Sequence, residues 1–163
     1  MKSLILTLFV IAFSLNPIMA QADSIVLGPT DFVPFSDEAN FVSSNSGLYL
    51  RPGSPISAFL APIHLPSGAR ISSVILFYVD NSATCNIQIN IIKTNIFTST
   101  HTIMADWTTS GSSSVNPLIH KITPIIGGYS VNNTGYFYNV FIYFNDNTAG
   151  TNCTVMAVKI IYY

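Results

Sequence analysis

The chain has 163 residues, 49% of them hydrophobic and only 8% charged; six Lys/Arg stand against seven Asp/Glu, for a net charge of -1. That balance gives nucleic acid no basic field to bind, and the hydrophobic fraction excludes a disordered chain. The length suits one domain with a real core, and hardly two.

The first segment reads as an export signal. Lys2 supplies a small positive region, and Leu4 to Leu15 is apolar apart from Thr7 and Ser14. Asn16-Pro17 ends the run, and Ala20-Gln21-Ala22 offers small residues where a signal peptidase cuts. Cleavage before Asp23 is favoured, with cleavage after Ala20 the alternative. Twelve residues cover about 18 Å as a helix, short of a hydrocarbon core of about 30 Å, so no stable membrane span is expected after cleavage. Residues 1–22 are therefore expected to be a cleaved signal peptide and residues 23–163 one domain. Ser, Thr and Asn make up 43 of the latter 141 residues, and five basic groups face seven acidic ones. A hydroxyl- and amide-rich surface of this kind fits secretion or an extracellular surface, with the periplasm as the alternative, and defends poorly against self-association.

Short strands come first in chain order: Ile25–Leu27, Phe41–Val42 and Leu48–Leu50, then Ile56–Ala61 between Pro55 and Pro62. Pro62 to Pro66 is extended, and its Ile63-His64-Leu65 alternation sets His64 opposite a buried pair. Arg70 to Val79 becomes continuously apolar after Ser73, as in a central strand. Cys85 to Ile91 alternates strictly between apolar or Cys and polar residues, which asks for a half-buried strand. The Asp80 turn is expected to join these two as a hairpin, with a loop longer than two residues because no Asn-Gly or Asp-Gly pair is present. His101–Ala105 and Leu118–Thr123 are weaker strands, separated by an exposed loop from Trp107 through Ser114.

Gly135 to Asn145 is a long aromatic strand. Tyr136, Tyr138, Val140, Ile142 and Phe144 share one side, and Phe137, Phe141 and Tyr143 the other. The Asp146 turn leads to Cys153–Tyr162 as a second hairpin, in which Val158, Ile160, Met156 and Tyr162 are expected to face the core and Lys159 to face away. No 3.6-residue period is sustained over three turns. Eight or nine strands with prolines at their boundaries describe an all-β, single-domain two-sheet β-sandwich with jelly-roll-like connectivity; a β-barrel is the alternative.

Cys85 and Cys153 each follow an Asx-rich turn after an aromatic strand, as expected if both turns lie at one end of a sandwich. An internal disulfide is favoured over free buried thiols or an intermolecular bridge. There is no CxxC and no zinc-spaced ligand set.

Catalytic chemistry is sparse. His64, His101 and His120 lie in separate segments and read as surface or strand-edge polar residues. Gly111-Ser112-Ser113-Ser114 lacks the form of a nucleophile elbow. Glu38 is the lone glutamate, which leaves glycoside hydrolysis short of paired carboxylates. Asp80-Asn81 and Asp146-Asn147 could offer oxygens to Ca2+, but capping of the turns explains both pairs without an ion. No catalytic residue, cofactor or metal site is assigned.

Ala61-Pro62-Ile63-His64-Leu65-Pro66-Ser67-Gly68-Ala69-Arg70-Ile71, leading into Phe77-Tyr78-Val79-Asp80-Asn81, resembles a family of poorly characterised bacterial secreted domains. Phe32-Val33-Pro34, Met104-Ala105 before Ser110-Gly111-Ser112, and the closing Ala157-Val158-Lys159-Ile160-Ile161-Tyr162 extend the resemblance over residues 32–162. The resemblance implies no enzyme activity and offers no functional residues. Family members carry a Cys just before a closing Gly-Val; here that position is Met156, so the bridge rests on the local argument alone.

The leading expectation is a secreted, non-catalytic β-sandwich acting by surface contact, in adhesion, at the envelope or in assembly, through self-association or a cell-surface protein or glycan. One alternative is a carbohydrate-binding module with Trp107, Tyr49, Tyr129 or Tyr136 as platforms; another is a small secreted hydrolase. A surface row of aromatics beside polar side chains would favour sugar, a His–carboxylate pocket the enzyme, and a bare apolar face assembly.

Overall fold

The computed structural model describes residues 21–55, 58–109, 114–122, 130–146 and 150–163. Its strands are β1 (Asp23–Leu27), β2 (Val33–Pro34), β3 (Phe41–Ser44), β4 (Gly47–Leu50), β5 (Ala58–Ile63), β6 (Ile71–Asp80), β7 (Ile87–Asn95), β8 (His101–Thr108), β9 (Ser114–Ile122), β10 (Tyr136–Phe144) and β11 (Cys153–Tyr162). One antiparallel sheet runs β3-β4-β11-β6-β9, with β1 also paired to β11; the other runs β2-β5-β10-β7-β8. The fold is a β-sandwich, not a barrel. Taken from β4 onward, the orders 4-11-6-9 and 5-10-7-8 are those of a jelly roll.

The four strands of the two expected hairpins are present, but neither pair forms a hairpin. β6 pairs with β11 and β9, whereas β7 pairs with β10 and β8. β10 and β11 likewise lie in different sheets. Each loop after an aromatic strand is a crossing between the sheets, which is why it is longer than a two-residue turn. Local alternation cannot tell a partner beside a strand from one across the core, since both bury the same face.

The two crossings are tied together. The Cys85–Cys153 disulfide joins them with a Cα–Cα distance of 6.2 Å. Asn81 N–H donates to the Asn152 carbonyl at 2.7 Å, and Asn145 N–H to the Asn86 carbonyl at 3.2 Å. The Thr84 hydroxyl donates to Asp146. Cys153 opens β11 as expected; Cys85 lies two residues ahead of β7 rather than opening it.

Between the sheets the core is aliphatic at the centre. Val74, Leu76, Val155, Val158 and Ile160 meet Ile87, Ile89, Ile91, Val140 and Ile142, all buried. Phe59 knits one flank, edge-on to Phe41 (5.0 Å between centroids) and to Phe144 (5.8 Å). A bulge between Val155 and Ala157 shifts the phase of β11. Val155 and Val158 are therefore both buried, and Met156 is not a core residue as alternation alone suggested. β8 also runs further than expected: Trp107 and Thr108 belong to the strand, and Ser114 already begins β9. At the β3–β4 turn Gly47 has φ +140°, and a Cβ there would lie 2.2 Å from the Thr154 methyl, so only glycine fits.

Candidate ligand-binding face

In β10 the side chains alternate as the sequence indicates. Tyr138, Val140, Ile142 and Phe144 are buried, while Phe137, Phe141 and Tyr143 face out from the five-stranded sheet. At about 3.4 Å per residue, Phe137 and Phe141 stand about 14 Å apart along the strand, and Phe141 and Tyr143 about 7 Å. Phe137 is 49% exposed and Tyr143 39%. Phe35 extends the row sideways: its N–H donates to the Ala58 carbonyl, its ring is 71% exposed, and it lies 6.1 Å from Phe141.

Register decides what stands beside these rings. Across from Phe141 on β7 is Asn90, and across from Asn90 on β8 is Asp106. Across from Tyr143 is Gln88, then Thr108. Asn139 sits between Phe141 and Phe137, opposite Ile92 on one side and Pro62 on the other. The Asn90 side-chain oxygen is buried without a hydrogen-bond partner. A polar atom left that way costs about 1–3 kcal/mol, a penalty the sheet carries beside the aromatic row. The face thus combines flat apolar rings, amides with free bonding capacity and few charges.

The aromatic positions expected from the sequence are not brought together. Tyr49 lies on β4 of the six-stranded sheet, half-buried across from Val42. One face of the Trp107 indole is stacked on the His120 imidazole, 3.7 Å between centroids and 8° from parallel, and Tyr78 meets the indole edge-on at 5.6 Å. Trp107 therefore bridges the β8 and β9 edges of the two sheets and is no open platform. Tyr136 starts β10 with the Lys93 ammonium 4.8 Å from its ring centroid. Tyr129 lies outside the described residues. Phe137, Phe141 and Tyr143 were visible in the sequence as one side of the aromatic strand. What was missing was the knowledge that this side faces away from the other sheet.

The histidines remain apart. His101 Nδ1 is 2.9 Å from the Thr94 hydroxyl, His120 stacks on Trp107, and His64 projects opposite buried Ile63 and Leu65 as expected. Among the described residues, no group of three His, Cys, Asp or Glu side chains is placed to hold a metal. Asp146 accepts from Thr84, which is the turn-capping role; both carboxylate oxygens of fully buried Asp80 lack a hydrogen-bond partner. Burial and the nearby Asp80 carboxylate together push the Tyr78 hydroxyl above its usual pKa. No helix among the described residues is long and apolar enough to cross a membrane.

No protein-family model matches the chain, and no curated protein matches it by sequence. Solved structures do match it in fold. A xylan-binding module, CBM15, superposes with a TM-score of 0.51 at 15% identity, covering 86% of this chain and 97% of that one. The CBM36-1 domain of a multidomain xylanase from the hindgut metagenome of Trinervitermes trinervoides gives a TM-score of 0.49 at 10% identity, over 85% and 96% of the two chains. At 15% identity the likeness to CBM15 shows the fold alone: this chain shares the β-sandwich architecture of that module.

Proposed function

We propose that the protein is a secreted, non-catalytic glycan-binding module whose site is the outer face of the β2-β5-β10-β7-β8 sheet. The observation that carries this reading is the row Phe137, Phe141 and Tyr143, flanked by Asn90, Asn139 and Gln88 on one exposed face. A pyranose ring has apolar C–H faces and a hydroxylated rim. Aromatic faces cover the former, and amides, which both donate and accept, pair with the latter. The disulfide suits an oxidising, extracellular setting. The reading takes up the carbohydrate alternative drawn from the sequence in place of adhesion or assembly, because the face carries amide groups lacking partners and is not purely apolar.

The likeness to a xylan-binding module makes xylan the first polymer to try. In native affinity electrophoresis, soluble xylan, mixed-linkage glucan and glucomannan are cast separately into the gel. Retardation by at least one polymer, clearly weakened in Phe141→Ala and retained in Phe77→Ala on the opposite sheet, is the expected result. Equal migration in all three gels would sink the proposal. Self-association is the second reading, favoured by Ile103, 46% exposed and paired across from Ile92 on the same face. It predicts a molar mass by light scattering that rises with concentration.

A further inference from the structure

The aromatic face does not end in the same way along its length. β5 and β10 stop pairing at Ile63 and Tyr138, and beyond that point the two segments separate. The gap is a half-open groove of about 390 Å³, lined by Pro62, His64, Leu65, Asn133, Phe137 and Asn139 among others. That volume lies within the range of about 300–1,000 Å³ typical of small-ligand sites.

The far wall of the groove is built in advance. Asn133 Nδ2 donates across the gap to the Leu65 carbonyl at 2.8 Å. Asn132 N–H donates to the Tyr138 hydroxyl at 2.9 Å, and the Thr134 N–H and hydroxyl both bond Asn132 Oδ1 at 3.0 and 2.6 Å. Val131 is held by Gly68 and Ala69, with Gly68 N–H on its carbonyl at 2.8 Å and its own N–H on the Ala69 carbonyl at 2.7 Å. A wall fixed by this many local bonds needs no ordering when a ligand arrives.

The floor holds an amide whose bonding capacity is open to the groove. Asn139 is only 7% exposed and lines the groove, yet its side chain makes no hydrogen bond to any described residue. A side chain buried to that degree is normally paired. Phe137 offers a ring beside it, and exposed His64 stands on the opposite bank. Among the described residues no Asp, Glu, Lys or Arg lines the groove.

We infer that this groove receives the terminal sugar of a neutral glycan, so that the face reads a chain end rather than its interior. The inference rests on the glycan-binding reading above. An uncharged lining selects a neutral unit. The Asn139 amide accepts from one hydroxyl and donates to its neighbour, and Phe137 covers the apolar ring face. With the Asn133–Leu65 bond crossing the gap beyond the last β5–β10 pair, the glycan ends there and its remainder leaves along β10 over Phe141 towards Tyr143.

The test is isothermal titration of the disulfide-intact protein with xylo-, cello- and manno-oligosaccharides, trimer and hexamer, and with the three parent polymers. End recognition predicts one protein bound per glycan chain at every length. The polymer is then no better than its hexamer per mole of chain. His64→Ala and Phe137→Ala, both at exposed positions, each weaken binding by roughly tenfold, about 1.4 kcal/mol, with unchanged melting temperature. Several proteins per polymer chain, with the hexamer weaker than the polymer, overturn end recognition and leave the glycan reading standing. Silence from all nine ligands overturns both. Borohydride reduction of the bound hexamer separates the two ends: loss of binding assigns the reducing end, and retention the other.

Discussion

The two outer faces of the sandwich come from strands of similar length, yet they differ in kind. On the six-stranded sheet, Lys159 pairs with Val26 and Ile75, Ile161 with Ser24 and Ser73, and Phe77 with Ile119. That face is aliphatic with hydroxyls, a lysine and a single aromatic position in the centre. On the five-stranded sheet the central strand β10 sets out Phe137, Phe141 and Tyr143, with amides on the next strand. Exposed aliphatic residues are ordinary on folded proteins and need no explanation; rings aligned along one strand beside an amide oxygen without a partner do. On the glycan-binding reading proposed above, the contrast puts recognition on one side of the molecule and leaves the other as a solvated back.

The largest effect expected is one that abolishes the contrast by loosening both faces. The disulfide closes a loop with a sequence separation of 68 and joins both crossings. Cys85→Ser with Cys153→Ser should cost about 4 kcal/mol on the chain-entropy account, seen as a lower urea midpoint. If the double variant melts with the oxidised protein, the hydrogen bonds between the crossings suffice alone. Next comes Gly47→Ala on the six-stranded side, where positive φ and contact with the Thr154 methyl should cost about 1–3 kcal/mol without touching glycan affinity.

A sharper probe compares ring with ring. Phe141→Ala should weaken binding by about tenfold, near the upper end of what an aromatic contact contributes, while Phe77→Ala leaves affinity unchanged. Equal losses from the two would erase the distinction between the faces. The smallest effect is a pH slope. Burial, with the Asp80 carboxylate second, raises the Tyr78 pKa in the folded protein. The folded state then holds a proton that the unfolded chain releases from about pH 10. Stability from this group is complete below pH 10 and is lost as pH rises through the higher folded value. Tyr78→Phe should flatten the decline in melting temperature above pH 10; an unchanged slope would remove Tyr78 as its source.

Much of this was readable one strand at a time. Cys153–Tyr162 matches β11 residue for residue, and the two sides of β10 follow from alternation alone. His64 opposite Ile63 and Leu65 follows in the same way. Strand ends next to proline were misread: β5 continues through Pro62 and β9 includes Pro117. Proline is tolerated at edge positions such as β9, where no donor is required on the outer side. Trp107 was misplaced for a different reason. The run of hydroxyls that follows it reads as loop, while the residue itself is held by a partner from a strand in the other sheet, His120.

By itself the sequence determined that the chain is sheet, the inward sides of β7 and β10 and, given a bridge within the chain, the pairing of its only two cysteines, because a period of two and a count of two are local facts. Which strands became neighbours was decided only in three dimensions. β6 and β7 bury the same residues whether they lie side by side or face to face, so the choice falls to crossings and long-range register. That choice set Asn90 beside the outward Phe137, Phe141 and Tyr143, and opened the groove where β5 and β10 part.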